Sequence, residues 1–243
     1  MKKSVNIFKS PEELATELAK DLIRRIRASS SREKPYSIAL SGGSTPELLF
    51  SFLGDEYSGM VPWEFVHFFW GDERCVPPDH PDSNYGMAKR ILFDKIVIPQ
   101  TNIHRIAGEG LALDAAEKYS LELKNFLPGR DNYPLFDFIL LGIGEDGHTA
   151  SIFTGQEELI ESVRSCEVAV HPVTGQKRIT LTGRVINNAE AVAFIATGQK
   201  KAPVIAEILN YSEGSEKYPA SHISPVYGSL DWYLDEDAAR LIG

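Results

Sequence analysis

Short apolar runs alternate with longer amphipathic stretches along the whole chain. The apolar runs lie at residues 36–40, 66–70, 136–141 and 191–196. Nearly continuous runs of this kind are typical of parallel strands that are covered on both faces. The stretches between them have the length and spacing of helices, so the pattern predicts βαβ units.

The first helix has a strong start signal. Ser10 is a favourable N-cap, Pro11 suits the first helical position, and Glu13 stands where a capping box needs its acid. One apolar face then follows at four-residue spacing, made of Leu14, Leu18, Leu22 and Ile26. Further helices are predicted at about 84–95, where Ser83 is a suitable cap, and at about 111–126 and 200–210.

These elements predict the fold class α/β, with a doubly wound, mostly parallel sheet and helices on both faces, as in Rossmann-like proteins. A chain of 243 residues can bury a core without disulfides or a structural metal. No long linker, repeat or low-complexity tract interrupts the pattern. We therefore expect a single domain over residues 1–243.

Charge and cysteine content narrow the function classes. Lysine and arginine number 25 against 34 acidic residues, and the formal net charge of −9 argues against a nucleic-acid partner. An anionic ligand would have to be bound by a local cluster. Cys75 and Cys166 form no CxxC pair, and no histidine stands at zinc-ligand spacing, so we expect reduced thiols and no metal site.

The sequence also argues against export and a membrane span. Glu12 and Glu13 interrupt any hydrophobic segment of a signal peptide. No run reaches the roughly 18 apolar residues that a spanning helix needs. We expect a cytoplasmic protein with no membrane partner.

In open α/β sheets the ligand lies beyond the carboxyl ends of the strands. The run at 36–40 is followed by Ser-Gly-Gly-Ser-Thr-Pro at 41–46. Gly42 and Gly43 let the backbone approach a ligand, and the hydroxyls of Ser44 and Thr45 can donate hydrogen bonds beside a helix start, for which Pro46 suits the first position. We favour a phosphate site over a plain turn, because a turn does not need five consecutive small or hydroxylic residues.

The run at 66–70 is followed by Gly71-Asp72-Glu73-Arg74 and a loop that contains Pro77, Pro78 and Pro81. A stiff loop could hold Arg74 toward a cleft with little loss of entropy. Arg74 could equally form a surface ion pair with its acidic neighbours. The spacing alone leaves both interpretations open.

The run at 136–141 is followed by Gly-Ile-Gly-Glu-Asp-Gly-His at 142–148, which formally contains a dinucleotide-binding GxGxxG. We reject that interpretation, because the acid at the required distance, Glu167, opens a strand candidate instead of closing one. Asp146 and His148 flank Gly147, and His148 in this position favours a general base over a structural histidine. The other histidines have no mutual spacing that suggests a metal site.

The run at 191–196 is followed by Thr-Gly-Gln-Lys-Lys-Ala at 197–202. A cation at a helix start is unfavourable with the helix dipole unless an anion lies between them. Lys200 and Lys201 therefore indicate either a bound anion or two solvated side chains on a surface turn.

Taken together, these segments resemble the 6-phosphogluconolactonase family. The resemblance rests on SGGSTP at 41–46, GDERCVPPDHPDSNY at 71–85 and GIGEDGHTASIFTG at 142–155, and it extends to RITLT at 178–182, GQKKA at 198–202 and LDWYLDEDAARL near the carboxyl end. It implies a phosphate held by Gly42, Gly43, Ser44 and Thr45, with Arg178 and Lys201 as counter-charges. The role of Arg178 rests on the resemblance alone, since we expect it to precede a strand candidate, whereas the other segments follow one.

The resemblance implies hydrolysis of 6-phospho-D-glucono-1,5-lactone to 6-phosphogluconate, in the oxidative branch of the pentose phosphate pathway. His148 would take a proton from the attacking water, Asp146 would orient the imidazole or polarise the site, and Arg74 would bind the sugar acid or offset charge on the oxyanion. A small sugar-phosphate lactone is then the partner. No metal, organic cofactor or obligatory protein partner is expected.

Two alternative functions, a deaminase and a non-catalytic regulator, differ from the lactonase in what they require of the segment that begins at residue 146. Related glucosamine-6-phosphate deaminases have a catalytic glutamate shortly after the Gly-His pair, whereas residues 149–155 contain no acid and the first is Glu157. A non-catalytic regulator that binds a sugar phosphate would not need Asp146 and His148. The sequence therefore favours the lactonase over the deaminase-like isomerase and the regulator.

Overall fold

The structure is a computed structural model that describes residues 2–243, and those residues contain eleven strands. They are β1 (Lys2–Phe8), β2 (Tyr36–Leu40), β3 (Val66–Trp70), β4 (Asp72–Arg74), β5 (Gly129–Arg130), β6 (Tyr133–Pro134), β7 (Phe138–Gly142), β8 (Cys166–Val170), β9 (Lys177–Leu181), β10 (Ala191–Ala196) and β11 (Ser229–Asp235). Six form one sheet in the order β1-β11-β10-β7-β2-β3, and every neighbouring pair in it is parallel.

The helices connect and cover these strands. They are α1 (Pro11–Ser29), α2 (Ser44–Asp55), α3 (Asn84–Ala88), α4 (Ala112–Phe126), α5 (Glu158–Glu161), α6 (Gly183–Ile186), α7 (Ala202–Leu209) and α8 (Glu236–Ala239). A π-helical turn at Lys89–Phe93 continues α3, and a 3₁₀ turn at Gln199–Lys201 precedes α7. Within residues 2–243, no helix combines the length and the apolar character that crossing a membrane requires.

The predicted α/β class with its mostly parallel sheet is confirmed. Every residue of β2 and β10 is buried, as expected for strands covered on both faces. The predicted strand at 136–141 begins two residues later, because the carboxylate of Asp137 accepts from both the backbone N and the hydroxyl of Ser37. Helix α1 starts as predicted, except that Glu13 accepts from Lys9 N at 2.8 Å, one residue before the N-cap.

The apolar pattern did not reveal five of the strands, β1, β4, β5, β6 and β11. Strands β1 and β11 pair with each other at one edge of the main sheet, where polar and half-exposed positions hide the strand signal. Strands β4, β9 and β8 form a separate antiparallel sheet, to which the strand candidate at 167–170 belongs. The pairing of β1 with β11 fits the single domain over residues 1–243, which stays a prediction.

The strand order reverses direction between β2 and β7. From β2 the chain passes to β3 on one side, whereas from β7 it passes to β10 and β11 on the other. Such a switch point leaves a crevice at the carboxyl ends of the two strands. The loops that follow β2 and β7 meet there.

Candidate active site

The loop after β2 brings backbone to one wall of the crevice. A Cβ on Gly42 would collide with the amide group of Asn84, and Gly43 has φ +105° as the N-cap of α2. Ser44 and Thr45 are the first helical residues, so their N–H groups have no partner within the helix. Pro46 is the third helical residue and not the first, as the sequence had suggested, but it still lies in the turn where a missing N–H costs nothing.

The two hydroxyls of this loop differ in surroundings. Ser44 is exposed, whereas Thr45 is buried and its Oγ1 lies 2.9 Å from Oγ1 of Thr197, in the loop after β10. Thr45 therefore joins two strand ends, while Ser44 remains available to a ligand.

Two arginines lie opposite each other in the antiparallel sheet. Arg74 of β4 and Arg178 of β9 are register partners, and the buried Nε of each has no hydrogen-bond partner among residues 2–243. Like charges in directly opposed positions are unfavourable. Burial, and next the charge of Arg74, lower the pKa of Arg178. An anion between the two guanidinium groups would relieve both costs.

The position of Arg178 corrects one expectation. It is the second residue of strand β9 and lies inside a strand, whereas the sequence placed it before a strand candidate. Strand β9 does not belong to the parallel sheet, so the rule about the ends of parallel strands does not apply to it. The register with β4 brings it to the crevice.

Arg74 makes no ion pair with any residue in the described part of the chain. Its Nη1 donates to the backbone oxygen of Asp82 at 2.6 Å. The neighbouring Glu73 is buried, and its carboxylate accepts from the backbone N of Arg74, Asn84 and Tyr85 and from the hydroxyl of Ser83. Burial raises the pKa of Glu73, although the three backbone hydrogen bonds act in the opposite direction. Glu73 thus fixes the proline-rich loop, and Arg74 is not neutralised by it.

His148 lies after a tight turn at the end of β7. The N–H of Gly147 donates to the oxygen of Gly144, and Nδ1 of His148 lies 2.5 Å from Oδ1 of Asp146. Because a carboxylate accepts, Nδ1 carries the proton in the neutral imidazole and Nε2 keeps its lone pair. The hydrogen bond from His148 is the main cause of a lowered pKa of Asp146. The side chain of His148 is 27% exposed, and Nε2 has no hydrogen bond to residues 2–243.

Two aromatic residues support this turn. Gly147 has φ +78°, and a Cβ there would collide with the ring of Tyr218. The ring of His148 packs at 4.8 Å from the buried Phe153, and the guanidinium carbon of Arg178 lies 5.5 Å from the same ring. One apolar side chain therefore contacts both functional groups.

The two lysines after β10 have different surroundings. Lys200 is exposed, whereas Lys201 is half-buried at the start of α7, and burial lowers its pKa. Of the two interpretations of this segment, solvated side chains on a surface turn describe Lys200 alone.

These groups line one cleft of about 310 Å³. Eight of the nine predicted site residues line it, namely Gly42, Gly43, Ser44, Thr45, Arg74, His148, Arg178 and Lys201. Asp146 does not line the cleft and contacts it through His148. The sequence missed four lining residues with polar side chains, Ser41, Asp72, Asn84 and Glu145. Asp72 and Glu145 stand in strand-end segments that were recognised, but only their neighbours were singled out.

The deaminase alternative needs a catalytic glutamate shortly after the Gly-His pair, and the first acid after His148 is Glu157. The carboxylate of Glu157 accepts from the backbone N of Gly155 at 2.7 Å and does not line the cleft. It has a local structural partner at the start of α5.

The sequence profile of glucosamine-6-phosphate isomerases and 6-phosphogluconolactonase matches residues 9–232. The chain belongs to this family. The chain is 41% identical over 214 residues to a protein of Haemophilus influenzae named 6-phosphogluconolactonase. The aligned region covers 88% of this chain and 90% of the relative. The protein of the same name from Aggregatibacter actinomycetemcomitans is 40% identical over the same shares of the two chains.

A solved structure of a protein with the same name is also similar to this chain. The 6-phosphogluconolactonase of Trypanosoma brucei is 32% identical and superposes with a TM-score of 0.89, over 98% of both chains. The similarity therefore extends over both the parallel sheet and the small antiparallel sheet.

Proposed function

We propose that this chain hydrolyses 6-phospho-D-glucono-1,5-lactone to 6-phosphogluconate, the activity for which its relatives are named. One observation carries the proposal of a catalytic role. Nδ1 of His148 is engaged by Asp146 while Nε2 is free in the same cleft as Arg74, Arg178 and Lys201. A general base and a cluster of cations in one cleft suit an ester substrate that carries a phosphate.

The proposed reaction uses the cleft in two parts. The phosphate binds between the N–H groups at the start of α2 and the cations Arg178 and Lys201. Nε2 of His148 accepts a proton as water attacks the lactone carbonyl, and Asp146 stabilises the imidazolium that forms. Arg74 offsets charge on the developing oxyanion. When the bond from the carbonyl carbon to the ring oxygen breaks, that oxygen takes the proton back from His148.

The test of this function is a direct rate measurement. Freshly prepared lactone should disappear faster with the purified protein than by spontaneous hydrolysis, and glucosamine 6-phosphate should release no ammonia. Ammonia release would favour the deaminase-like isomerase. Binding of 6-phosphogluconate without any acceleration would favour the regulator.

Removal of a phosphate-binding cation should change KM more than kcat. We expect Arg178→Ala and Lys201→Ala to raise KM about 10- to 100-fold, since each removes a charge-assisted hydrogen bond to a group that does not change in the transition state. Lys200→Ala is the matched control, because Lys200 is an exposed neighbour outside the cleft, and its KM should stay unchanged. Steady-state kinetics on the four proteins distinguish the outcomes. A loss mainly in kcat would move these cations into the chemical step.

The proposed chemistry requires neither a metal ion nor an organic cofactor. A lactone is an activated ester, and assistance by a general base raises the rate of hydrolysis by about 10²- to 10⁴-fold. We therefore expect EDTA to leave the rate of lactone hydrolysis unchanged. Loss of activity that a divalent ion restores would contradict this expectation.

The proposal also covers compartment and partners. Cys75 and Cys166 are both free thiols, as is usual in the cytoplasm. We propose a cytoplasmic enzyme whose partner is the small sugar-phosphate lactone, with no nucleic acid, membrane or obligatory protein partner.

A further inference from the structure

Glu145 is an acid at the cleft that the proposed reaction leaves unused. It is one of the two central residues of the turn from Gly144 to Gly147, and the other is Asp146, which orients His148. The Glu145 side chain is exposed and lines the cleft. It makes no hydrogen bond and no ion pair with any residue between 2 and 243.

Most other polar groups that line the cleft are donors or are already engaged. The three cations and the N–H groups of α2 can only donate. Asp72 is the other carboxylate that lines the cleft, and its Oδ2 accepts from the hydroxyl of Ser151 at 2.6 Å, while its Oδ1 lies 3.5 Å from Nδ2 of Asn84. Glu145 is therefore the carboxylate that remains free to accept from a ligand.

The position of Glu145 relative to the two parts of the cleft decides what it would contact. It stands three residues before His148, in the turn that leads to it, and its charge acts on Lys201 at the proposed phosphate site. Because its charge acts on this site, the carboxylate costs electrostatic energy when a phosphate binds there. That cost is offset if the carboxylate accepts hydrogen bonds from the ligand itself. Between the carbonyl and the phosphate, the proposed substrate carries hydroxyl groups, which are donors.

We propose that Glu145 is a specificity-determining residue, which accepts hydrogen bonds from the sugar hydroxyls between the carboxyl end and the phosphate of the ligand. This inference rests on the proposed function and identifies the part of the substrate that the cations do not recognise. A site built to bond a hydroxyl rejects the analogue that lacks it, because its own polar group is then left unpaired. The cleft is selective for a polyhydroxylated phosphate ester over a plain alkyl phosphate.

Two ligands that differ only in hydroxyl groups test this inference without catalysis. The first is 6-phosphogluconate, and the second is 6-phosphonooxyhexanoate, a six-carbon acid with the same phosphate and no other hydroxyl. Titration calorimetry gives Kd for both with the wild type, Glu145→Ala and Glu145→Gln. Glu33→Ala is the matched control, because it removes the same charge at an exposed position just before β2, at the opposite end of the strands.

Glu145→Ala should weaken binding of 6-phosphogluconate about 10- to 100-fold, the usual cost of a hydrogen bond to a charged group. Binding of the hexanoate should stay equal or become tighter, since a nearby negative charge is removed. Glu145→Gln should lie between wild type and alanine, and Glu33→Ala should match wild type.

Equal weakening of both ligands, tighter binding of both, or no change for 6-phosphogluconate would each overturn the inference. Lactone turnover by the wild type is measured in parallel. If the wild type hydrolyses the lactone but Glu145→Ala keeps the wild-type preference for 6-phosphogluconate over the hexanoate, only the role of Glu145 is refuted. If the wild type does not hydrolyse the lactone, the proposed function is refuted. The far-ultraviolet circular dichroism of each variant confirms folding, and Glu145→Gln preserves the test if alanine disturbs the turn.

Discussion

His148→Asn should lower kcat for the lactone by about 10²- to 10⁴-fold, the contribution that general-base assistance usually makes. The proposed base is Nε2, which the asparagine side chain does not replace. Affinity for 6-phosphogluconate should stay within a few-fold of wild type, because Arg178, Lys201 and the start of α2 bind the phosphate elsewhere in the cleft. Stopped-flow kinetics and product titration measure the two effects after subtraction of spontaneous hydrolysis.

The pH dependence provides a second measurement on the same variant. A general base must be neutral to accept a proton, so kcat of the wild type should fall toward acid pH. The lowered pKa of Asp146 keeps that carboxylate ionised over this range, so the acid limb does not report Asp146. His148→Asn should abolish the limb.

The matched control is His171→Asn, which removes the other histidine that packs against Phe153, at 5.1 Å. His171 does not line the cleft, so the kcat of this variant should stay within about twofold of wild type. Wild-type kcat with an unchanged acid limb in His148→Asn would show that His148 is structural. The base would then be sought among the carboxylates.

The second large effect is expected when the phosphate is removed from the substrate. Lactone without the phosphate should be hydrolysed with a kcat/KM on the order of 10³-fold lower, because several charge-assisted hydrogen bonds of about 1.5 to 3 kcal/mol each are lost and such contributions are not fully additive. Arg74 and Arg178 are register partners, and the buried Nε of each has no hydrogen-bond partner among residues 2–243, so their positive charges are not compensated within the cleft. Initial rates with the two lactones, at equal ionic strength, provide the comparison.

The arginine variant provides the control for this result. In Arg178→Ala the preference for the phosphorylated lactone should shrink, whereas Lys200→Ala should keep it. Equal kcat/KM for the two lactones in the wild type would refute the assignment of the loop at 41–46 and of both cations.

The strand ends show how far the local pattern was informative. The apolar runs at 36–40, 66–70 and 191–196 match β2, β3 and β10 residue for residue, because nearly continuous apolar runs are typical of strands in a covered parallel sheet. Since parallel strands share one carboxyl edge, the loops after them meet there. That rule led to the segments that contain Gly42, Arg74, His148 and Lys201. The choice of Lys201 over Lys200 came from the family resemblance.

The remaining site residues could not be located by that rule. Arg178 belongs to a half-exposed antiparallel strand and reaches the cleft only through its register with β4. Its role was inferred from family resemblance, and its place opposite Arg74 came from the structure. Asp72 was passed over because a buried acid next to Arg74 resembles a surface ion-pair partner until its burial is known.

The sequence by itself determined the fold class, four of the six parallel strands and the loops that carry the chemistry, because periodicity, glycine turns and helix caps act over a few residues. Only the tertiary structure decided the register of β4 against β9, the engagement of Asp72 by Ser151 and the freedom of Glu145. These features depend on contacts between segments far apart in the chain. Which polar group is left without a partner follows from the packing of all its neighbours, and local sequence does not encode it.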